Sequence, residues 1–305
     1  MNTKPAFALL LLTACGGNYS NEDVEFIGAL PVRHELESKL PAQTGQPLVV
    51  GTRQDAISVG QPSQAYLDAK GASDAFNGGL FSLLDLIDII RQTPPTVREP
   101  DRRVWGPFPD TNNPDFVDEV VMERTQPALF DYRIEARRKD APSSAPWVVI
   151  VTGSFHATGG ARRGNGEVDL FAKAARDGGL LTPGLETLDT LYVGYVTDES
   201  PIQVNMLFVS VPNPTPTVVG YAYREYSDGH GEIDFVVVAA GGLLILGETA
   251  KWLPDGRGRA DQAGLAGFFF GATGYECWDA QYRVTYSNKP WENPTVVGDP
   301  TSCPF

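Results

Sequence analysis

From about residue 102 onward the chain is written in a period of two. Phe130, Tyr132, Ile134 and Ala136 alternate with Asp131, Arg133, Glu135 and Arg137. Successive side chains of a strand point to opposite faces, so this run reads as a strand with one face in a core and one in water. The same reading predicts strands over Arg103–Phe108, Val117–Thr125, Trp147–His156, Glu167–Phe171, Thr190–Thr197, Gln203–Val211, Val218–Tyr226, Glu232–Ala239, Leu243–Trp252, Arg257–Gln262 and Tyr275–Tyr286. Turn signals separate them at Asp140 to Pro146, Thr197 to Pro201, Pro212 to Pro216, Ser227 to Gly231 and Pro254 to Gly256. Such short gaps leave no room for helical crossovers, so neighbours should pair as antiparallel hairpins. A meander of roughly ten or more strands curls or closes to manage its edges.

One segment has a different period. Asp74 to Gln92 predicts a helix, capped by Ser73 or Asp74 and stopped by Pro94-Pro95. Apolar residues from Phe76 to Ile90 cover most of its girth and leave Ser82, Asp85 and Asp88 as a polar strip. A helix this apolar is a buried one; a partner-binding or membrane-dipping helix is the alternative. The expected class is therefore α+β and mostly β: a long curved antiparallel meander, an open or incomplete barrel, packed on or around one buried apolar helix. Phe76, Leu80, Leu84 and Ile87 are the residues expected to pack against the sheet or touch an apolar ligand. Short helices are expected over Asn21–Ala29 and Val32–Leu40, a short helix and loop over Ala172–Glu186, and irregular chain over Gln43–Gln64. A helix-filled open barrel resembles the periplasmic carriers of lipoproteins and lipids, an analogy of fold alone.

The chain begins with Lys4, an apolar run from Ala6 to Leu12, and Leu12-Thr13-Ala14-Cys15. The run is shorter than the ~20 residues a spanning helix needs, and its order is that of a cleaved secretory leader. The ending resembles the lipobox of bacterial lipoproteins. That resemblance implies acylation of Cys15, removal of residues 1–14, and a flexible tether over 15–22 that includes Gly16-Gly17-Asn18. An ordinary leader followed by a chance Cys is the alternative. With no Asp after Cys15, resemblance to Gram-negative lipoproteins implies an outer-membrane location, on the periplasmic or the cell-surface face. Residues 23–305 then form a single α+β domain, with a helical part over 23–95 and the sheet over 100–290.

Several segments are similar to uncharacterised outer-membrane lipoproteins of deltaproteobacteria, including myxobacteria. They are Phe26–Pro31, Phe76-Asn77-Gly78, Pro94 to Val104 leading into Trp105-Gly106-Pro107-Phe108, Trp252 to Asp261, and Glu276-Cys277-Trp278-Asp279. This resemblance implies no activity.

A net charge of −14 repels nucleic acid and anionic headgroups, so no nucleic-acid partner is expected and membrane contact should come from the lipid on Cys15. With Cys15 acylated, only Cys277 and Cys303 remain. An extracytoplasmic pair reads as a disulfide stapling the C-terminal tail, worth roughly 3–4 kcal/mol for a loop of this length; two free thiols are the alternative. No Cys or His neighbours either one at metal-ligand spacing.

Gly164-Asn165-Gly166-Glu167-Val168-Asp169-Leu170 and Gly229-His230-Gly231-Glu232-Ile233-Asp234-Phe235 share one pattern, and Asp255 to Asp261 is a looser third copy. Paired glycines followed by alternation read as a repeated hairpin turn into a strand. An anion nest or a calcium loop is the functional alternative, but the copies lack that loop's dense carboxylates. His34, His156 and His230 have no metal spacing. Ser154 and His156 share a strand face, yet Thr152-Gly153-Ser154-Phe155-His156 is not a nucleophile elbow and no orienting acid can be assigned. Asp85 and Asp88 are the most interesting carboxylates because they sit amid apolar residues; such a strip is expected to reach water at a sheet opening, and burial, with raised carboxyl pKa values and a site, is the alternative. No catalytic residue, metal or cofactor is therefore expected. The expected function is a non-enzymatic, lipid-anchored scaffold that binds an apolar ligand or an envelope protein. A cell-envelope hydrolase with a cleft invisible in sequence, or a surface recognition or adhesion protein, are the alternatives.

Overall fold

The computed structural model describes residues 19–42, 56–110, 112–160, 162–180, 185–211, 218–239, 244–267 and 269–305. Cys15, the tether as far as Asn18 and residues 43–55 of the irregular chain expected over 43–64 lie outside these; the end of the expected tether, Ser20 to Glu22, is instead the capped start of a helix, because Ser20 and Asp23 exchange side-chain and backbone hydrogen bonds. The described residues form a mostly β molecule built on one antiparallel sheet of fifteen strands. In chain order these are β1 (Val97–Glu99), β2 (Arg102–Pro109), β3 (Phe116–Gln126), β4 (Leu129–Arg138), β5 (Val148–His156), β6 (Asn165–Leu170), β7 (Leu188–Val196), β8 (Ile202–Ser210), β9 (Val218–Glu225), β10 (Gly231–Ala239), β11 (Leu244–Trp252), β12 (Gly258–Gly267), β13 (Thr273–Trp278), β14 (Val284–Asn288) and β15 (Val296–Gly298). Every strand pairs with its neighbours in sequence, and β1 and β15 stay unpaired with each other, so the sheet is a meander that does not close. Both edge strands are only three residues long and lie beside prolines, which limits the unpaired edge each offers to another chain.

The helices are α1 (Asn21–Gly28), α2 (Arg33–Leu36), α3 (Gln64–Gln92) and α4 (Ala172–Asp177). Helix α3 starts ten residues before the predicted Asp74, because Ser63 caps it by accepting the Tyr66 amide. Its 29 residues reach about 43 Å. Ala65, Tyr66, Ala69, Phe76, Leu80, Leu83, Leu84, Ile87 and Ile90 recur at helical spacing and are buried against the inner face of the sheet. The four candidates Phe76, Leu80, Leu84 and Ile87 are at most 1% exposed. The helix is not enclosed, however: Gly71, Asp74, Gly78 and Asp85 face out through the open side. Asp85 pairs with Arg33, and Asp88 pairs with Arg91, so the polar strip reaches water there.

The start of α3 is anchored by a buried polar network. The Glu276 carboxylate accepts from the Ser63 hydroxyl (2.5 Å) and the Ala65 amide (3.2 Å), and its other oxygen accepts from Lys289 (2.6 Å). A carboxylate at a helix start satisfies amides that have no partner within the helix and complements the helix dipole. Tyr66 stacks on Tyr282 at 4.1 Å, and Trp278 lies beside it. At the other edge, Arg103 binds Asp23 of α1 at 2.7 Å, with both side chains at 2% exposure or less.

Other boundaries differ in detail. Val32–Leu40 holds only the single turn of α2, and the helix predicted from Ala172 ends at Asp177. Tyr275–Tyr286 is two strands rather than one. Asp279 accepts the amides of Gln281 and Arg283 and turns the chain, with Tyr282 at a φ of 61°. Cys277 and Cys303 are disulfide-bonded, tying the tail to β13.

Candidate functional site

The inner face of the sheet is filled where α3 lies on it, and an apolar opening lies elsewhere. It is a groove of about 630 Å³ at the end of the inner face marked by the β3–β4 turn, beside the end of α1. The floor is Phe130 from β4, Phe155 from β5 and Ala29 after α1, all buried. Phe130 and Phe155 face inward because they occupy alternate positions of paired strands and lie opposite one another in register. Phe26 of α1 meets Phe130 edge to face at 5.3 Å. Pro127, Ala128, Ala157, Gly28 and Gly160 complete walls with little polar side chain.

The turn that forms one wall is tight. Gln126 pairs with Leu129 across Pro127-Ala128, and Ala128 takes a φ of 65°. A left-handed alanine is uncommon, since its Cβ crowds the following carbonyl. The Ala128 carbonyl accepts the Ala157 amide at 2.8 Å, which joins this turn to the end of β5.

The rim is charged. Arg124 pairs with Glu25 at 3.2 Å and Asp101 at 3.0 Å, and donates to the Pro100 carbonyl at 2.9 Å. With two carboxylates on one guanidinium, the rim carries net negative charge and repels an anionic head group. A groove of this size with apolar walls and few polar groups has the character of a small-ligand site.

The residues singled out in sequence do not converge here. Phe76, Leu80, Leu84 and Ile87 are core residues and do not line the groove. Ser154 and His156 lie on the opposite face of β5 from Phe155. His34 sits on α2, and His230 stacks on Tyr226 in the β9–β10 turn, paired with Asp228. No group of three or more His, Cys, Asp or Glu among the described residues is placed to hold a metal. No helix among them is long and apolar enough to cross a membrane.

Carboxyls in unusual surroundings are dispersed. Asp118 on β3 is pushed up to about 7 by burial and then by Asp110. Glu119 is raised by burial and by its cross-strand neighbour Glu135. Glu248 on β11 is raised by burial beneath α3. None of the three lines the groove. Comparison with family models, with curated proteins and with solved structures finds no match for this chain.

The groove was not legible in the sequence. Its lining comes from four separated segments, and six of its thirteen residues are Gly, Ala or Pro, which carry no chemical signature. The one local signal was Pro127-Ala128, a turn dipeptide between two alternating runs.

Proposed function

We propose that this chain is a non-enzymatic binding protein of the bacterial envelope, lipid-anchored through Cys15 at the outer membrane. Its groove beside α1 takes an uncharged apolar ligand, such as a chain or ring of hydrocarbon. The observation that carries this reading is the apolar floor of Phe130, Phe155 and Ala29 under a rim of Glu25, Arg124 and Asp101. Burying apolar surface drives such binding at about 25 cal/mol per Å². The net negative rim disfavours fatty acids and other anions, which separates this site from one built for a charged head group.

Native mass spectrometry of the protein purified from the envelope tests the reading. A discrete added mass, recovered as an apolar compound on organic extraction, is expected. It should vanish when Ala157→Trp fills the groove and persist when the distant exposed residue Val59 is changed to Thr. A mass that survives Ala157→Trp, or no mass in any preparation, rejects the groove as the binding site.

A further inference from the structure

Strands β10 to β14 set five polar side chains opposite one another on the outer face of the sheet: Asp234, Thr249, Asp261, Tyr275 and Asn288. The row crosses the strands and runs about 19 Å at the ordinary spacing of neighbouring strands. Beside it, β11, β12 and β13 carry only the small residues Gly247, Ala263 and Thr273, again in register. Small residues next to taller ones leave a trough of about 610 Å³. The row is held in place by its own contacts. Asp234 accepts from the Thr249 hydroxyl at 2.6 Å and from Arg224 at 2.8 Å. Arg259 donates to Asp261 at 2.9 Å, and its guanidinium lies 4.1 Å from the centre of the Tyr275 ring. Both of its bonds to Asp261 go to Oδ1, so Oδ2 remains to accept from a ligand.

We propose that this trough binds a neutral oligosaccharide lying across the strands. Charge is the first argument. In the row and beside it, each carboxylate already meets a cation: Glu232 and Asp234 pair with Arg224 at 2.6 and 2.8 Å, Glu232 also with Lys251 at 3.3 Å, and Asp261 with Arg259. Although the chain carries a net charge of −14, the trough therefore offers an ionic ligand no unmatched partner. Hydrogen-bonding chemistry is the second. Carboxylates accept, while Thr and Asn side chains both donate and accept, which is what the hydroxyls of a sugar require. Shape is the third. Gly247 and Ala263 keep the floor flat, so the C–H face of a sugar ring rests there while its hydroxyls, which radiate from the ring edge, reach the row. The length of the row favours several linked rings over one. A peptide is disfavoured, because β10 to β14 have strand neighbours on both sides and offer no edge for strand addition. The groove beside α1 shares no residue with this trough, so the two sites are independent.

The test is isothermal titration of the full chain carrying Cys15→Ser. The probes are maltohexaose, cellohexaose and mannohexaose, with hexagalacturonic acid as the anionic counterpart and hexameric chitosan as the cationic one. At least one neutral hexamer should bind, with an affinity unchanged up to about 0.5 M salt, since no charge is there to be screened. Asn288→Ala should weaken that binding about three- to tenfold, the worth of one neutral hydrogen bond. Ala263→Trp should abolish it by filling the floor, and Ala157→Trp in the other groove should leave it unchanged. If Ala263→Trp shifts the urea unfolding midpoint, the surface change Asn288→Ala decides alone. Failure of all three neutral hexamers to bind overturns the proposal. Tighter binding of either charged hexamer overturns it as well, as does binding that Asn288→Ala leaves intact or that Ala157→Trp removes.

Discussion

Trp278 lies directly across the β12–β13 ladder from Gly258, and its indole occupies the space that a side chain there would need. A Cβ on Gly258 would stand 2.2 Å from Trp278 Cζ2. The same relationship joins Gly231 to Trp252 and Gly166 to Tyr195, each pair in register on adjacent strands. These three glycines are the second glycines of the repeated Gly-x-Gly pattern. The repeat is therefore a packing device: each strand begins with a gap that an aromatic ring on the inner face covers, as in aromatic rescue of strand glycines.

Gly258→Ala should accordingly destabilise the protein by about 1–3 kcal/mol, the usual range for overpacking a filled site. Gly71→Ala is the contrasting change. Gly71 lies inside α3 with open space around its Cβ direction, so alanine there should stabilise by about 0.5–1 kcal/mol. Urea unfolding of both variants checks the pair, and equal effects would reject the steric account.

How much of this was readable in advance depended on whether a feature was periodic. The strands were legible because alternation of residues such as Phe130 to Arg137 is a direct image of the pleat. The buried stripe of α3 from Phe76 to Ile90 was legible for the same reason. Its first turns were not, because Asp68, Lys70 and Gly71 interrupt the apolar count, while the decisive partner, Glu276, is 213 residues from Ser63. The β13–β14 turn was hidden because it contains neither Gly nor Pro and is made by the Asp279 side chain. The groove was hidden because small residues from distant segments define it.

The Asp23–Arg103 pair should be the main electrostatic tie between α1 and the sheet edge. Burial alone would raise the Asp23 carboxyl, but the Ser20 amide, Arg103 and Arg98 outweigh it and hold it down at about 2. A carboxyl depressed on folding adds stability above its unfolded value near 4, and that contribution is lost as pH falls toward 2. Asp23→Ala leaves the buried Arg103 with Glu22 as its remaining carboxylate and should cost about 1–3 kcal/mol at pH 7. Urea titrations of wild type and Asp23→Asn should converge between pH 4 and pH 2, and a gap that is independent of pH would count against the pair.

Glu248 should act in the opposite direction. Burial raises its carboxyl well above the usual range, outweighing the hydrogen bond from Gln262, and Asp68 adds to the rise. A carboxyl raised on folding binds more protons in the native than in the unfolded state, so its effect on stability turns unfavourable as pH climbs above the unfolded value. Glu248→Gln removes that titration while keeping a carbonyl to accept from Gln262. The variant should be more stable than wild type at pH 8, with an advantage that shrinks steadily toward pH 4. A constant difference across this range would show that Glu248 is already charged in the native state.

The strain at Ala128 separates the stability of the groove from its use. A left-handed alanine costs about 1–2 kcal/mol that glycine avoids, so Ala128→Gly gains on the native backbone and loses part of that gain to the greater freedom of the unfolded chain. The expected net effect is a stabilisation of about 0.5–1 kcal/mol, because the φ of 65° is one glycine adopts freely. The Ala128 methyl, however, sits in the groove wall beside Pro127. Its removal takes away one apolar contact from any occupant, worth about 0.8 kcal/mol or roughly a fourfold weakening of binding. Ala128→Gly should therefore raise the unfolding midpoint while lowering retention of the bound compound. If stability and retention rise together, the alanine is plain backbone strain and the wall at 128 does not touch the ligand.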